Sequence, residues 1–482
     1  MPTMIFQRQR FVLIALLVAG AFFMENLDGT VIATALPQMA PALRTTPIAL
    51  SAGMSAYMLT LAVFIPISGW VADRFGSRTI FAAAIAVFTL SSILCGLSHQ
   101  LWQFTAARVL QGIGGAMMVP VGRLVVLRNT EKKDLMRSIA YIIWPGLVAP
   151  ILGPPVGGFI TTYASWRWIF FLNVPLGVLG ILLTFVLVPN HRTDEKNPLD
   201  WLGFVLSGLS CFCLMYGLDF MEQQPIAWLK VGVFWTFSIG CAGLVAWHAR
   251  RHPYPLIDLS ALRIPTFATV IFGGSLFRVA IGTTPFLLPM MFQVGFGMSA
   301  FASGLLMIAL FAGNLGMKTF TTPVLRRFGF RSVLIINGVL AALSIAAFSL
   351  LTASMPRMLI AAVLFLGGLC RSMQFTSLTT LAFADIPTEK MTRANTFLST
   401  VQQMTMGMGV GVGAVLLHLA ALLHGRHASA LAVADFHLAF FLVGAMALVA
   451  IVDCFKLEPD AGSIVSGHQS GGAPYARQPS SN

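Results

Sequence analysis

The chain has 482 residues, 57% hydrophobic and only 10% charged, with a mean hydropathy of +0.82. Soluble domains carry about 25% charged residues, so a water-soluble globule is excluded. Fourteen apolar runs of about 21 residues use roughly 300 positions, which leaves no room for a soluble catalytic domain. The sequence predicts an all-α polytopic membrane protein with spans at 11–33, 48–71, 79–98, 102–126, 138–161, 167–189, 200–220, 228–248, 267–292, 301–321, 332–352, 357–382, 394–421 and 435–456. A disordered cytoplasmic tail follows, rich in Gly, Ser and Gln.

The net charge of +13 would suit nucleic acid, but no Arg/Lys cluster is interleaved with aromatics, so no nucleic-acid partner is expected. With both termini cytoplasmic, roughly two-thirds of the Lys and Arg fall on the inner side, as the positive-inside rule requires. Those groups include Arg8 with Arg10, Arg128 to Arg137, Arg250 with Arg251, and Lys390 with Arg393. The expected setting is a multi-pass position in the cytoplasmic membrane, with the first span uncleaved. The six cysteines include no CxxC pair and the nine histidines are scattered, so neither a metal nor another cofactor is indicated.

In the first span, Glu25 and Asp28 lie three residues apart and share a helix face. A carboxylate at bilayer depth is costly unless solvated or paired, so both are candidates for proton coupling, the alternative being a cap or pair that fixes packing. Asp73, Arg74 and Arg78 close the second span beside Gly69 and Gly76, where they can gate the cytoplasmic side or simply anchor the interface. Arg108 and Gln111 lie in the fourth span. A buried guanidinium demands a carboxylate or carbonyls, and Asp28 is the natural candidate, either for coupling or as a structural ion pair.

The fifth span holds four prolines and four glycines between Pro145 and Gly158. With Gly146, Gly153, Pro154, Gly157 and Gly158, this predicts a kinked helix open to close approach, suited to a moving interface or to static packing. In the second half, Arg278, Arg371 and Gln374 are candidates for lining a substrate cavity, and the arginines would suit an anion; helix pairing or snorkelling is the alternative. Asp219 and Lys318 are further charges near span ends. Gln402, near Met404 and Met408, can line an adaptable apolar wall or pack. Gly407, Gly409, Gly411 and Gly413 make GxxxG pairs for close helix contact. The stretch Gly313 to Thr319 lacks phosphate-loop spacing, and HExxH, GxSxG and other paired catalytic sets are missing, so an enzyme is not expected.

An internal echo joins Arg74-Phe75-Gly76-Ser77-Arg78 to Arg327-Phe328-Gly329-Phe330-Arg331, each between two spans. It divides the chain into a six-helix bundle at 1–190, two inserted helices at 191–260, a second six-helix bundle at 261–456 and a tail at 457–482.

Taken together these stretches resemble the major facilitator superfamily. Gly69-x-x-Ala72-Asp73-Arg74-x-Gly76-x-Arg78 looks like its loop motif, and Arg108-x-x-Gln111-Gly112 like its span-four motif. Gly153-Pro154-x-x-Gly157-Gly158 is similar to its antiporter motif. Leu27-Asp28-x-Thr30-Val31-Ile32-Ala33 and Trp166-Arg167-Trp168-Ile169-Phe170-Phe171-Leu172-Asn173-Val174-Pro175 look like signatures of the fourteen-span drug:proton antiporters. Gly114 to Leu124 and Gly316-Met317-Lys318 look most like the MdtD-type branch. Ser77 and Ala149 depart from the usual basic residue and glycine of these motifs.

The resemblance implies two pseudo-symmetric six-helix bundles plus two extra helices, and export of small amphipathic compounds against an inward flow of protons. It assigns Asp28 and Arg108 to coupling, Asp73, Arg74 and Arg78 to the gate, and the span-five residues to the moving interface. Its partners would be substrate, protons and lipid, acting as a monomer or with an accessory export protein. Export of an organic anion or metal–carboxylate chelate, and a sensor without flux, remain alternatives.

Overall fold

The computed structural model describes residues 2–129, 135–190, 198–221, 227–252, 255–387, 390–426 and 431–466. The tail beyond 466, the basic stretch 130–134 and most of the 191–198 loop lie outside them, as do the side chains of Arg8, Arg10, Arg137 and Asp219.

In lipid every backbone N–H and C=O must be satisfied within the chain, and the chain does this with helices. They are α1 (Pro2–Val31), α2 (Leu36–Ala42), α3 (Ser51–Phe64), α4 (Ser68–Phe75), α5 (Ser77–Leu97), α6 (Leu101–Asn129), α7 (Leu135–Tyr163), α8 (Arg167–Phe171), α9 (Asn173–Leu187), α10 (Trp201–Met221), α11 (Trp228–Ala249), α12 (Pro265–Met290), α13 (Ala300–Ala347), α14 (Arg357–Ala384), α15 (Met391–Leu423), α16 (Val433–Val449) and α17 (Ser463–Ser466). Among the described residues there is no strand, and twelve stretches are long and apolar enough to cross a membrane. This is a multi-pass, all-α membrane protein.

Three expectations need adjustment. The second span is broken at Pro66, where a 3-10 turn (Ile65–Ile67) separates α3 from α4; the proline has no N–H to continue the ladder. The tenth and eleventh expected spans run together as α13, one of the twelve stretches at 51 residues with its following turn, bent only at Gly329 (φ 72°, ψ 165°). Gly76, at the same place in the Arg-Phe-Gly echo, has φ 96° and ψ 132°. Both copies therefore turn on a left-handed glycine, a conformation that costs a residue with Cβ. The fifth span stays a single helix, α7, through all four of its prolines.

Packing follows the small residues. α15 is wedged between two neighbours: a Cβ on Gly409 would strike Gly282 of α12, and one on Gly407 would strike Met58 of α3. Ser55 Oγ also donates to the Gly407 carbonyl at 3.2 Å. α10 and α11 are joined by reciprocal bonds, Ser210 Oγ to the Ser238 carbonyl (2.9 Å) and Ser238 Oγ to the Ser210 carbonyl (2.8 Å). α10 in turn packs on α3 and α15. Large apolar side chains such as Leu229 and Ile239 face outward, as lipid contact requires.

Candidate functional site

Four helices converge on Asp28. The carboxylate comes from α1, Ser92 from α5, Arg108 and Gln111 from α6, and Asn173 from the first turn of α9. All five side chains are buried. Arg108 Nη1 donates to Asp28 Oδ2 at 2.5 Å and to Gln111 Oε1 at 2.5 Å. Gln111 Nε2 and Asn173 Nδ2 each donate to Asp28 Oδ1 at 3.0 Å. The same two amides reach Ser92 Oγ, at 2.8 and 3.2 Å. The Arg108 guanidinium stacks over the Tyr57 ring of α3, 4.1 Å from its centroid. An ion pair this deep holds together only with further hydrogen bonds, which Gln111 and Asn173 supply here, while Arg108 Nε has no partner among the described residues.

The expected pairing of Asp28 with Arg108 is thus realised. Gln111 belongs to this cluster. Sequence reasoning missed Ser92, Tyr57 and Asn173 as site members. A lone amide at a helix start gave no sign of itself, since the three residues lie 64, 29 and 145 positions from Asp28 by their numbers. Glu25, one turn before Asp28, keeps Oε2 buried without a hydrogen-bond partner, as does the Tyr57 hydroxyl.

α7 lies between α1 and α13. A Cβ on Gly153 would strike Thr30, and one on Gly157 the Val31 carbonyl and Thr34, all on the segment that leaves Asp28. On the other flank, Gly158 abuts the Ala300 carbonyl and Gly304 abuts Pro154. The Phe301 N–H donates to Thr162 Oγ1 at 3.2 Å, and Gln293 Nε2 to the Thr34 carbonyl at 3.0 Å. A Cβ on Gly146, further back, would lie 3.8 Å from Asn26 Nδ2. The first and second parts of the chain therefore close on each other where α1 and α7 end and α13 begins.

At the opposite ends of these helices, Asp73 accepts from Arg128 Nη2 at 2.5 Å. Arg74 lies over Trp70 and Arg78 over Phe185. These partners all belong to the first 190 residues. Gly69 has open space at its Cβ position.

The four remaining cavity candidates are held by different partners. Arg278 is fully buried and donates Nη1 to the Val270 carbonyl of its own helix at 3.1 Å, while Nε and Nη2 have no partner among the described residues. Arg371 has an unpartnered buried Nη1 and lines a void of about 10 Å³ with Thr284 and Ser344, barely room for one water. Gln374 accepts from Asn337 Nδ2 at 3.0 Å and donates to the Leu334 carbonyl at 3.0 Å. Gln402 Nε2 donates to Thr379 at 3.3 Å.

Comparison with known proteins agrees with this architecture. The family profile described as Major Facilitator Superfamily matches residues 18–410. A protein of Pectobacterium carotovorum named "Putative multidrug resistance protein MdtD" is 38% identical over 83% of this chain and 86% of its own length. Its namesake from Salmonella newport is 40% identical over 83% and 85%. Among solved structures, a D-xylose-proton symporter superposes with a TM-score of 0.65 at 14% identity, over 93% of this chain and 98% of that one. A POT family peptide transporter gives 0.68 at 14% identity, over 92% and 96%. With its helices, its buried acid–arginine pair and these relatives, the chain belongs to the major facilitator superfamily, in the same family of transporters as the MdtD proteins.

Proposed function

We propose that this chain exports small amphipathic compounds across the cytoplasmic membrane by alternating access, driven by protons moving inward. The carrying observation is the route from Asp28 to the contact between the two parts of the chain. Asp28 sits on α1 two to six residues before Thr30, Val31 and Thr34, which seat Gly153 and Gly157 of α7, and α7 seats α13. A proton on Asp28 removes the charge that Arg108 balances, so the cluster must exchange partners and the end of α1 must shift. That shift is passed to α7 and then to its contact with α13. Glu25, with its unpartnered oxygen, serves as a second proton site on the same face. Relatives named for multidrug resistance support an amphipathic drug as cargo.

In this reading both termini are cytoplasmic, and the closed contacts at Thr34, Thr162 and Ala300 seal the outside. Asp73, Arg74 and Arg78 form the inner gate, holding one another's neighbours within the first bundle while that side is open. The bundles are 1–190 and 261–456. Counting α7 and dividing α13 at Gly329 gives fourteen crossings, with α10 and α11 as the inserted pair.

The test uses inverted membrane vesicles with an imposed acid-inside gradient. Adding a lipophilic cation should collapse the gradient with wild-type protein. With Asp28→Asn the gradient should persist, although the protein is inserted. A collapse that is indifferent to Asp28 would end the coupling assignment.

A second reading, export of an organic anion, is favoured by one observation: Arg278 and Arg371 carry buried N–H groups with no hydrogen-bond partner. Substituting them should then cripple tricarboxylate export and spare a cationic dye.

A further inference from the structure

Asp200, His248 and His252 lie apart from the transport machinery, where α10 begins and α11 ends. One ligand atom from each of the three lies within 4.8 Å of the others. Asp200 is held in place first as a cap: its Oδ1 accepts from the Gly203 N–H at 2.8 Å, and its Oδ2 from the Leu256 N–H at 3.0 Å. The carboxylate is buried, and His248 Nε2 meets Oδ1 at 2.7 Å. Two oxygens offer about four lone-pair sites, so three contacts leave capacity for a further ligand bond.

The two imidazoles are paired by the backbone. The His252 N–H donates to the His248 carbonyl at 2.9 Å, which carries the helical pitch of α11 past its last residue. The rings therefore stay one turn apart on one side, with centroids at 5.0 Å and planes tilted by 34°. Histidines at i and i+4 on a helix are a spacing that grips zinc. The nearby Arg251 guanidinium is engaged over the Trp247 ring at 4.4 Å.

We propose that Asp200, His248 and His252 form a site for one divalent transition-metal ion of the zinc class, which would staple the start of α10, the end of α11 and the Leu256 segment leading to α12. Two imidazoles and one carboxylate suit zinc, iron, copper or nickel far better than magnesium or calcium, which prefer all-oxygen sets. Metal–ligand bonds of about 2.0–2.2 Å place neighbouring ligand atoms roughly 3.3 Å apart on a tetrahedron. His248 Nε2 and Asp200 Oδ1 would need to part by only roughly half an ångström to admit the ion. A water fills the fourth position. The separation of 48 positions between Asp200 and His248 hid the set from sequence reading, which found the histidines scattered.

The experiment titrates Co²⁺ into tag-free, full-length protein in detergent, after chelator stripping, and follows the visible band of four-coordinate cobalt. One ion per chain should bind, and Zn²⁺ should displace it and raise Tm. His252→Gln leaves the Asp200–His248 hydrogen bond and so should fold normally. It should weaken Co²⁺ binding by more than the roughly 10–100-fold that losing an outer-shell partner costs. His437→Gln, remote from the set, should bind as wild type does. No cobalt band, or equal affinity in wild type and His252→Gln, would overturn the site and leave a hydrogen-bonded helix cap. Neither readout depends on transport.

Discussion

The first part of the chain and the second both bury arginine, and they treat it in opposite ways. Arg108 is given a carboxylate, an amide oxygen and an aromatic ring, and the two amides that donate to Asp28, those of Gln111 and Asn173, are themselves bonded onward to Ser92. Arg278 receives one carbonyl from its own helix, and Arg371 keeps a buried Nη1 without a partner. A guanidinium cannot shed its charge, so a charge left like this is retained at a cost. The contrast separates two kinds of work. The Asp28 cluster balances its buried charges within the protein, although Arg108 Nε has no hydrogen-bond partner among the described residues, so a change in its own protonation is what would disturb it. Among the described residues, neither arginine of the second set meets a carboxylate.

The largest effect that bears on this contrast comes from Asp28→Asn. It should lower stability by about 3–5 kcal/mol, because Arg108 would be left as an uncompensated buried charge. Thermal unfolding in nanodiscs measures the loss. Adding Arg108→Gln should recover most of that stability without restoring proton-driven efflux. A double variant that also transports would reduce the pair to a structural clamp, and the two regions would then differ in packing alone.

Next in size is Asn173→Leu. It removes one donor from Asp28 Oδ1 and one from Ser92, and should cost about 1–3 kcal/mol. Efflux should slow while substrate binding, read by equilibrium dialysis, holds. Unchanged stability would mean that the cluster needs fewer partners than it has, and the contrast with Arg278 would weaken.

Much of this was legible in the sequence, and the reasons are specific. Helices in lipid are long and apolar, so spans such as 102–126 and 228–248 lie within a few residues of α6 and α11. A carboxylate and a guanidinium in separate apolar runs can each be tolerated only with the other, which made Asp28 and Arg108 a pair on paper. The glycines of α7 were readable as a close-approach surface, but not that Gly153 and Gly157 face α1 while Gly158 faces α13. Helical periodicity gives a face and never names its neighbour. For the same reason the sequence did not show that Gln111 and Gln374 make hydrogen bonds to side chains or backbone from other segments. Asn173 stood out only as part of the Trp166–Pro175 stretch and its role did not, since an amide is an ordinary helix-start residue until an acid from another helix meets it.

The smallest expected effect on stability is the most informative about cargo. Arg371→Met replaces a cation, with a buried N–H unbonded, by an apolar chain of similar reach, so the folded state should be unchanged or slightly more stable. Arg108→Met, by contrast, strands Asp28 and should destabilise by several kcal/mol. Thermal unfolding of the two variants side by side measures that asymmetry. If Arg371→Met is as damaging as Arg108→Met, the second arginine has a partner that matters to the fold and the contrast fails. If it is harmless to the fold, export divides the remaining outcomes. Loss of tricarboxylate efflux with dye efflux intact assigns Arg371 to an anionic cargo. Loss of neither leaves the guanidinium to the water-sized void beside Thr284 and Ser344, as a residue that the lipophilic cargo never meets.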